Sequence, residues 1–338
     1  MGTKEKFLQL LNEANGDYVS GEKAAKSLSV SRNAIWKAAK NLEAEGVHIS
    51  SSLKKGYRLE ESYDLLTEEG VTSLLPQELK DRLKISVIEK TSSTNEVLKE
   101  AAQKGEAEGV VLIALQQSKG KGRLGRSFFS PKESGLYLSI LLRPKFNASR
   151  ALFITTAAAV AVAESTESIS NKKCGIKWVN DVFVEDKKLC GILTEASVDL
   201  ETQTLSHAIL GIGLNVYEPK GGFPEEIKSI ACALFSHQRN GLKAQLAAEI
   251  IKRFFALYDG MENQGVPDFV EEYKKRSVLN GRPIKVLRGG TETDAVALEI
   301  DDECRLKVKL STGETINLFS GDVSIVPCLR EKGAEGEA

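Results

Sequence analysis

The sequence predicts an α+β protein in three parts, and three observations carry that expectation. Residues 5–42 hold apolar side chains at helical spacing, residues 84–215 mix β-rich runs with helices without a regular strand-helix rhythm, and the chain after Asn280-Gly281-Arg282-Pro283 consists of short strands. The 338 residues suffice for two or three domains, and 41% hydrophobic with 28% charged residues is the composition of an ordinary soluble protein with a sizeable core.

In the front part, Phe7, Leu10, Leu11 and Ala14 form one helical stripe, ended by the turn Asn15-Gly16-Asp17. Ser20 caps a second helix that runs to Leu28, with Glu22 in the first turn where the macrodipole favours an acid. Ser31 caps a third helix, in which Ile35, Ala38, Ala39 and Leu42 face inward and which Gly46 ends. Residues 47–59 give two short β-like runs around a basic tip, Lys54-Lys55, and so a hairpin wing.

These are the parts of a winged helix-turn-helix over residues 1–62, whose third helix would lie in a DNA major groove. Arg32, Asn33 and Lys37 are the expected base-edge contacts. Ser31, Lys40, Lys54 and Lys55 complete the expected DNA-binding surface, with Trp36 there too but packed against the wing. A three-helix domain used for protein contacts is the alternative; cations on both helix and wing favour DNA. Lys+Arg of 46 against Asp+Glu of 47 leaves no global basic bias, so a nucleic-acid surface must be local.

Residues 63–82 are acidic, with Pro76 interrupting a helical pattern, and read as a linker with a helix or two. A central domain is expected over residues 83–278: strands at 85–88, 110–115 and 136–142, a polar turn Thr91-Ser92-Ser93-Thr94-Asn95-Glu96 entering a helix, and one hairpin over 176–195 carrying Lys177 and Lys188 near its turn ends. The apolar run 151–163 falls short of the roughly 18 residues that a membrane span needs and reads as a buried helix. A strand at 207–210 leads into Gly211-Ile212-Gly213-Leu214-Asn215, and Leu246, Ile250, Phe254 and Leu257 mark an amphipathic helix over 242–258. Residues 279–329 offer five short strands of SH3-like β-barrel size, and the charged tail 330–338 is expected to be disordered.

Five cysteines (Cys174, Cys190, Cys232, Cys304, Cys328), odd in number and far apart, and three scattered histidines make neither a disulfide framework nor a metal site. Buried thiols in a reducing cytosol are the expectation. The N-terminus lacks the apolar core of a signal peptide, which agrees with a cytoplasmic protein and no membrane partner.

The chemistry concentrates in Gln116-Gln117-Ser118-Lys119-Gly120-Lys121-Gly122-Arg123-Leu124-Gly125-Arg126. Four cations and three glycines fall within its last eight residues. Glycine permits close backbone approach and cations attract phosphate or carboxylate, so an anion-closing loop and a solvated basic turn both fit the stretch taken alone. The spacing matches neither a P-loop nor a dinucleotide fingerprint. No H-E-x-x-H, G-x-S-x-G or Cys/His pairing occurs elsewhere. Cations at Lys121, Arg123, Arg126, Lys177 and Lys188 with the pair Asn180-Asp181 suit a reaction that holds phosphate charge and positions a Mg²⁺-bound nucleotide.

Five motifs stand in the order and approximate spacing of one family: Ser93-Thr94-Asn95, the stretch from Gln117 to Arg123, Lys177-Trp178-Val179-Asn180-Asp181, Lys188-Leu189-Cys190-Gly191-Ile192-Leu193, and Gly211 to Asn215. The chain resembles the biotin protein ligases, and with the winged helix in front it resembles their bifunctional ligase and biotin-operon repressor members. The resemblance runs from Lys4 to Pro327. It implies a biotin/lipoyl-ligase-type catalytic domain that makes biotinyl-adenylate from biotin and ATP with Mg²⁺, then gives the biotinyl group to a lysine on a carboxylase carrier domain. Operator DNA and a homodimer are the other implied partners.

By that match Ser93, Thr94, Asn95 and Gln117 would line the biotin site, Lys121 and Arg123 would hold phosphate and activated carboxylate, and Lys188 would stabilise charge on the acyl-phosphate bridge. Asp181 would either position and deprotonate the acceptor lysine or serve Mg²⁺. Gly120, Gly122, Phe128, Lys177, Asn180, Gly191, Gly211 and Gly213 would complete the ligand site, although Lys177-Trp178 also reads as a strand pair packing the sheet. Three departures from the family pattern bear on this: Lys121 stands where Arg is usual and lacks its bidentate grip, Phe128 stands where Trp is frequent, and Val179 replaces the usual Pro and would free that turn. A biotin-sensing regulator without ligase activity, and a lipoate or other acyl-acid ligase, are the competing readings.

Overall fold

The computed structural model describes residues 2–14, 16–44, 47–60, 64–199, 201–262, 265–288, 291–319 and 322–325. In the front part, α1 (Thr3–Glu13), α2 (Gly21–Ser27) and α3 (Arg32–Ala44) precede an antiparallel hairpin of β1 (Ile49–Ser52) and β2 (Gly56–Leu59). Both expected caps form: Ser20 Oγ accepts from Lys23 N at 3.0 Å and Ser31 Oγ from Ala34 N at 3.1 Å. Phe7, Leu11, Ile35 and Leu42 close a core of their own, and the Phe7 ring meets Tyr57 of the wing edge-on at 5.4 Å between centroids. Tyr57 takes the packing role expected of Trp36, which is 51% exposed on the outer side of α3. The proposed stop at Gly46 lies outside the described residues.

The stretch read as a linker is part of the core. Helices α4 (Glu68–Ser73) and α5 (Gln77–Arg82), with the turn between them, bury Val71, Leu75 and Leu79 in the central cluster. Ahead of them Asp64 is buried and accepts from Tyr217 Oη at 2.7 Å and from Lys243 N at 2.9 Å. Burial raises the Asp64 carboxyl above its ordinary range, against the pull of Lys243 and Tyr217. The acidic surface of the segment hid these apolar residues in the sequence.

The central sheet is built from β3 (Lys84–Thr91), β4 (Val110–Gln117), β5 (Gly135–Leu142), β6 (Gly175–Lys177), β7 (Asp181–Val184), β8 (Lys187–Val198) and β9 (Leu205–Asn215), in the order β3-β4-β5-β9-β8-β7-β6. Only β3 and β4 are parallel, joined through α6 (Thr94–Gln103). Strand alternation divides the sheet into two faces. Leu112, Leu141 and Ile209 meet Leu98 of α6, while Val111, Ile113, Ile140 and Leu210 join the larger cluster with α7 (Leu152–Ser170) and, after α8 (Glu225–Lys228), α9 (Leu242–Asp259). Helix α7 with its preceding turn is long and apolar enough to cross a membrane, but its most apolar window is 72% buried inside the protein.

The expected single hairpin over 176–195 is two. β7 and β8 are joined by Glu185-Asp186, both with left-handed φ (50° and 62°), as a two-residue hairpin turn requires. β6 and β7 are joined by Trp178-Val179-Asn180, and the Trp178–Val179 peptide is cis. Val179 does not free this turn. It is 3% exposed, Tyr273 of α10 (Phe269–Lys275) donates to its carbonyl at 3.1 Å, and Trp178 Nε1 donates to Cys304 O at 2.9 Å.

That last bond ties the turn to the C-terminal part, where β10 (Pro283–Arg288), β11 (Thr291–Ile300), β12 (Leu306–Leu310), β13 (Thr315–Leu318) and β14 (Asp322–Ile325) form a five-stranded antiparallel sheet in the order β13-β12-β11-β10-β14. Ile284, Ala297 and Leu306 belong to the same cluster as the central domain, so this sheet is docked on it rather than separate. The tail and Cys328 lie outside the described residues; Cys174, Cys190 and Cys304 are buried thiols and Cys232 is partly exposed.

Candidate functional site

A cleft opens where the basic loop crosses the middle of the sheet. Its floor is bare backbone. A Cβ on Gly213 of β9 would lie 2.6 Å from the Phe128 ring, and one on Gly211 would lie 2.2 Å from Asn95 Oδ1, so any side chain there would displace a group that shapes the cleft. Gly191 on β8 makes room in the same way for Phe128 and the Lys188 stem.

One end of the cleft is neutral and buried. Ser93, Thr94 and Asn95, where β3 passes into α6, are 2 to 4% exposed. Thr94 donates to Gln117 Oε1 through its N–H at 2.8 Å and its hydroxyl at 3.1 Å, and Gln117 Nε2 donates to Ser130 Oγ at 3.1 Å. The Ser139 hydroxyl, on the central strand β5, faces Thr94 Oγ1 at 2.6 Å and Asn95 Oδ1 at 2.7 Å. Asn95 Nδ2 donates to Glu195 Oε2 at 2.9 Å. The side chains of Thr94, Asn95, Gln117, Ser130 and Ser139 are thus linked to one another by hydrogen bonds, which hold them in place.

The other end is charged and more exposed. Lys188 pairs with Asp181 at 2.8 Å, Lys121 with Glu96, and Arg123 Nη1 donates to Asn180 Oδ1 at 3.1 Å while Asn180 Nδ2 holds Ile192 O at 2.9 Å. The loop itself is compact: Gly122 N donates to Arg126 O at 2.7 Å and Phe128 N to Gly120 O at 2.8 Å, with Leu124 and Gly125 in left-handed conformations. Behind this end, burial pushes the Cys190 thiol well up despite the nearby Lys188 charge, so it is a neutral packing group and not a nucleophile.

Of the residues singled out in the sequence, Ser93, Thr94, Asn95, Gln117, Lys121, Gly122, Arg123, Phe128, Asn180, Asp181, Lys188, Gly191, Gly211 and Gly213 all line this one cleft. Two do not. Lys177 is off its wall, and Gly120 lies behind the loop, where a Cβ would be 2.4 Å from Phe128 O. Ser139, Glu195 and Glu96 were not singled out in the sequence; they are not on the wall of the cleft but hold the wall residues Thr94, Asn95 and Lys121. Ser139 had a signal, a polar interruption of an apolar strand; Glu195 lies in the polar half of β8 and Glu96 looked like an ordinary acid in a helix's first turn. Among the described residues no three His, Cys, Asp or Glu side chains gather as a metal site.

A second surface lies on the front part. Arg32, Asn33, Trp36, Lys37 and Lys40 share the exposed side of α3, and Lys54 and Lys55 stand at the wing tip. Tyr18 supports that tip, with Arg58 at 4.9 Å and Lys55 at 5.6 Å from its ring centroid.

Comparison with known proteins agrees with this geometry. Residues 87–215 match the biotin/lipoate A/B protein ligase family, residues 3–58 an HTH domain, and residues 280–326 the biotin protein ligase C-terminal domain. The chain is 33% identical to the bifunctional ligase/repressor BirA of Bacillus spizizenii over 95% of its own length and 98% of that protein. It is 29% identical to the protein of the same name from Escherichia coli, covering 88% and 89% of the two chains. Among solved structures, a biotin protein ligase from Aquifex aeolicus in complex with biotin and ATP is similar at a TM-score of 0.60 and 27% identity, covering 72% of this chain and 98% of that one.

Proposed function

The chain belongs to the biotin/lipoate A/B protein ligase family, and we propose that it joins biotin to a carrier-protein lysine in two steps and represses transcription through its winged helix. In the first step a biotin carboxylate oxygen attacks the α-phosphorus of ATP and pyrophosphate leaves, giving biotinyl-5′-AMP. In the second, a neutral lysine amine on a carboxylase carrier domain attacks the acyl carbon and AMP leaves. The observation that carries this reading is that side chains from four separated motifs and the glycines of the fifth converge on one cleft with a neutral and a cationic end.

The neutral end suits biotin: Ser93, Thr94, Asn95 and Gln117 offer hydroxyl and amide groups to a ureido ring over a glycine floor. Lys121 and Arg123 hold the phosphate and the activated carboxylate. Lys188 exchanges Asp181 for the charge developing on the acyl-phosphate bridge, which leaves Asp181 to receive the incoming ammonium and ease its deprotonation. Asp181 could instead serve Mg²⁺ carried in on the triphosphate, since that ion is held mostly by phosphate and water and would offset charge on the departing pyrophosphate.

For DNA, the cations of α3 and the wing supply the contacts. For assembly, β8 beyond Ile192 has no strand on the side away from β9 among the described residues, and this open edge suits a homodimer through the central sheet, which sedimentation would check. The cytoplasm is the expected location. The deciding experiment mixes the protein with biotin, ATP-Mg²⁺ and a carrier domain and follows biotin on the carrier together with pyrophosphate. Transfer supports the ligase, biotin binding without pyrophosphate supports a sensor, and preferential use of lipoate moves the protein to the other acyl-acid branch. Operator duplexes should bind in a salt-dependent way; no such binding removes the repressor role.

A further inference from the structure

Glu195 stands between the two ends of the cleft and touches both. Its Oε2 accepts from Asn95 Nδ2 at 2.9 Å, and its Oε1 lies 4.0 Å from Lys121 Nζ, which is also paired with Glu96. We propose that Glu195 is a positioning residue for the reaction, fixing the Asn95 amide at the biotin end and, with Glu96, holding Lys121 until phosphate displaces it. The assignment rests on the reading of this cleft as the biotin and ATP site.

The first half of the argument concerns which way an amide faces. Asn95 sits with Oδ1 toward Ser139 and Nδ2 toward Glu195. Ser139 does not decide between the two orientations, because a hydroxyl both donates and accepts. A carboxylate only accepts, so a flipped Asn95 would set its Oδ1 against Glu195 Oε2 and lose a charge-assisted bond. Leu193 O also accepts from Nδ2, but at 3.4 Å, so the closer and charged Glu195 is the main group that fixes the donor and acceptor pattern shown to a ligand at this end. Asn95 has little room to evade it, being 4% exposed and lying against the Gly211 backbone.

The second half concerns charge. Lys121 has two carboxylates beside it, from α6 and from β8, and its side chain remains 39% exposed. Exposed pairs of this kind are weak, which suits a cation that must change partners when a triphosphate enters. Each carboxylate competes with phosphate for Lys121. One residue thus tightens the biotin end and restrains the phosphate loop.

The test uses the full-length protein and measures binding of biotin and, separately, of ATP to the wild type and to Glu195→Ala, Glu195→Gln and Glu96→Gln. Loss of a hydrogen bond to a charged group predicts that Glu195→Ala weakens biotin by about tenfold or more. Glu195→Gln keeps an acceptor for Asn95 and should recover most of that loss. Both Gln variants remove one negative charge near Lys121 and should tighten ATP by roughly two- to fivefold, the scale of an exposed ion pair. A residue that only supports the fold would shift the two ligands together and would not be rescued for biotin alone. Equal weakening of biotin by Ala and Gln overturns the amide half, and unchanged ATP binding in both Gln variants overturns the charge half. Should Glu195→Ala not fold, Glu195→Gln and Glu96→Gln still decide, since similar biotin loss in Glu195→Gln or unaltered ATP binding in both counts against the proposal. A wild type that binds no biotin overturns the reading of the cleft itself, a result distinct from either.

Discussion

The two ends of the cleft are built on opposite plans. At the neutral end, Thr94, Asn95, Gln117, Ser130 and Ser139 are joined by short hydrogen bonds and lie mostly out of solvent, so the groups that would meet a ligand are already placed. At the charged end, Lys121 and Lys188 rest on carboxylates, and their side chains are 39% and 33% exposed. A neutral network in a low-dielectric interior is stable only when complete, whereas an exposed ion pair is cheap to break. The protein is preorganised where it recognises an uncharged ring and exchangeable where charge must arrive, develop and leave.

Removing the cation nearest the reacting bond should give the largest effect. Lys188→Ala takes away the group proposed to meet the charge developing at the acyl-phosphate, and loss of one such preorganised donor lowers turnover by about a hundred- to a thousandfold. Pyrophosphate release in single-turnover mixing checks this, with biotin affinity as the control. If Lys188→Ala loses biotin affinity as strongly as rate, the ends are not separable and the comparison fails.

The neutral end should respond in the reverse way. Gly211→Ala puts a Cβ within 2.2 Å of Asn95 Oδ1, and the network that pins Asn95 leaves it nowhere to go without breaking the bond to Ser139 or Glu195. Overpacking of this sort is worth about 1–3 kcal/mol, so biotin should bind on the order of ten- to a hundredfold more weakly. Calorimetric titration with biotin would show it. An unchanged affinity would mean that Asn95 is not held as tightly as its contacts imply.

The sequence made the charged end easier to read than the neutral one, for a physical reason. Cations and glycines crowded into Lys119–Arg126 are conspicuous in one dimension. The neutral end is assembled from β4, β5, β8 and the start of α6, and its Ser139 and Glu195 acquire meaning only once the order β4-β5-β9-β8 brings their strands around Asn95. The same limit hid the role of residues 64–82, whose Asp64 and Val71 find their partners Tyr217 and α9 far along the chain. Local signals served well for the winged helix, where caps, stripe and wing are contiguous. They failed for Trp36, which is 51% exposed instead of packed against the wing.

The smallest change tests whether the exchangeable end depends on the kind of cation as well as its charge. Lys121 supplies a point charge, and it lies against Glu96 with Glu195 at 4.0 Å. An arginine there would present a planar fork able to hold two phosphate oxygens at once. The same fork would also grip Glu96 or Glu195 more firmly, so the two effects oppose each other and the net change should be modest. Because the fork adds a second charge-assisted bond to phosphate, partly offset by its firmer grip on the acids, Lys121→Arg should slow release of the adenylate by about two- to fivefold. Following its dissociation in the absence of carrier domain gives that rate directly. Slower release places the weak point of ligand retention at Lys121; an unchanged rate means that Arg123 and Lys188 hold the phosphate and that Lys121 acts chiefly as the loop's tether to the two acids.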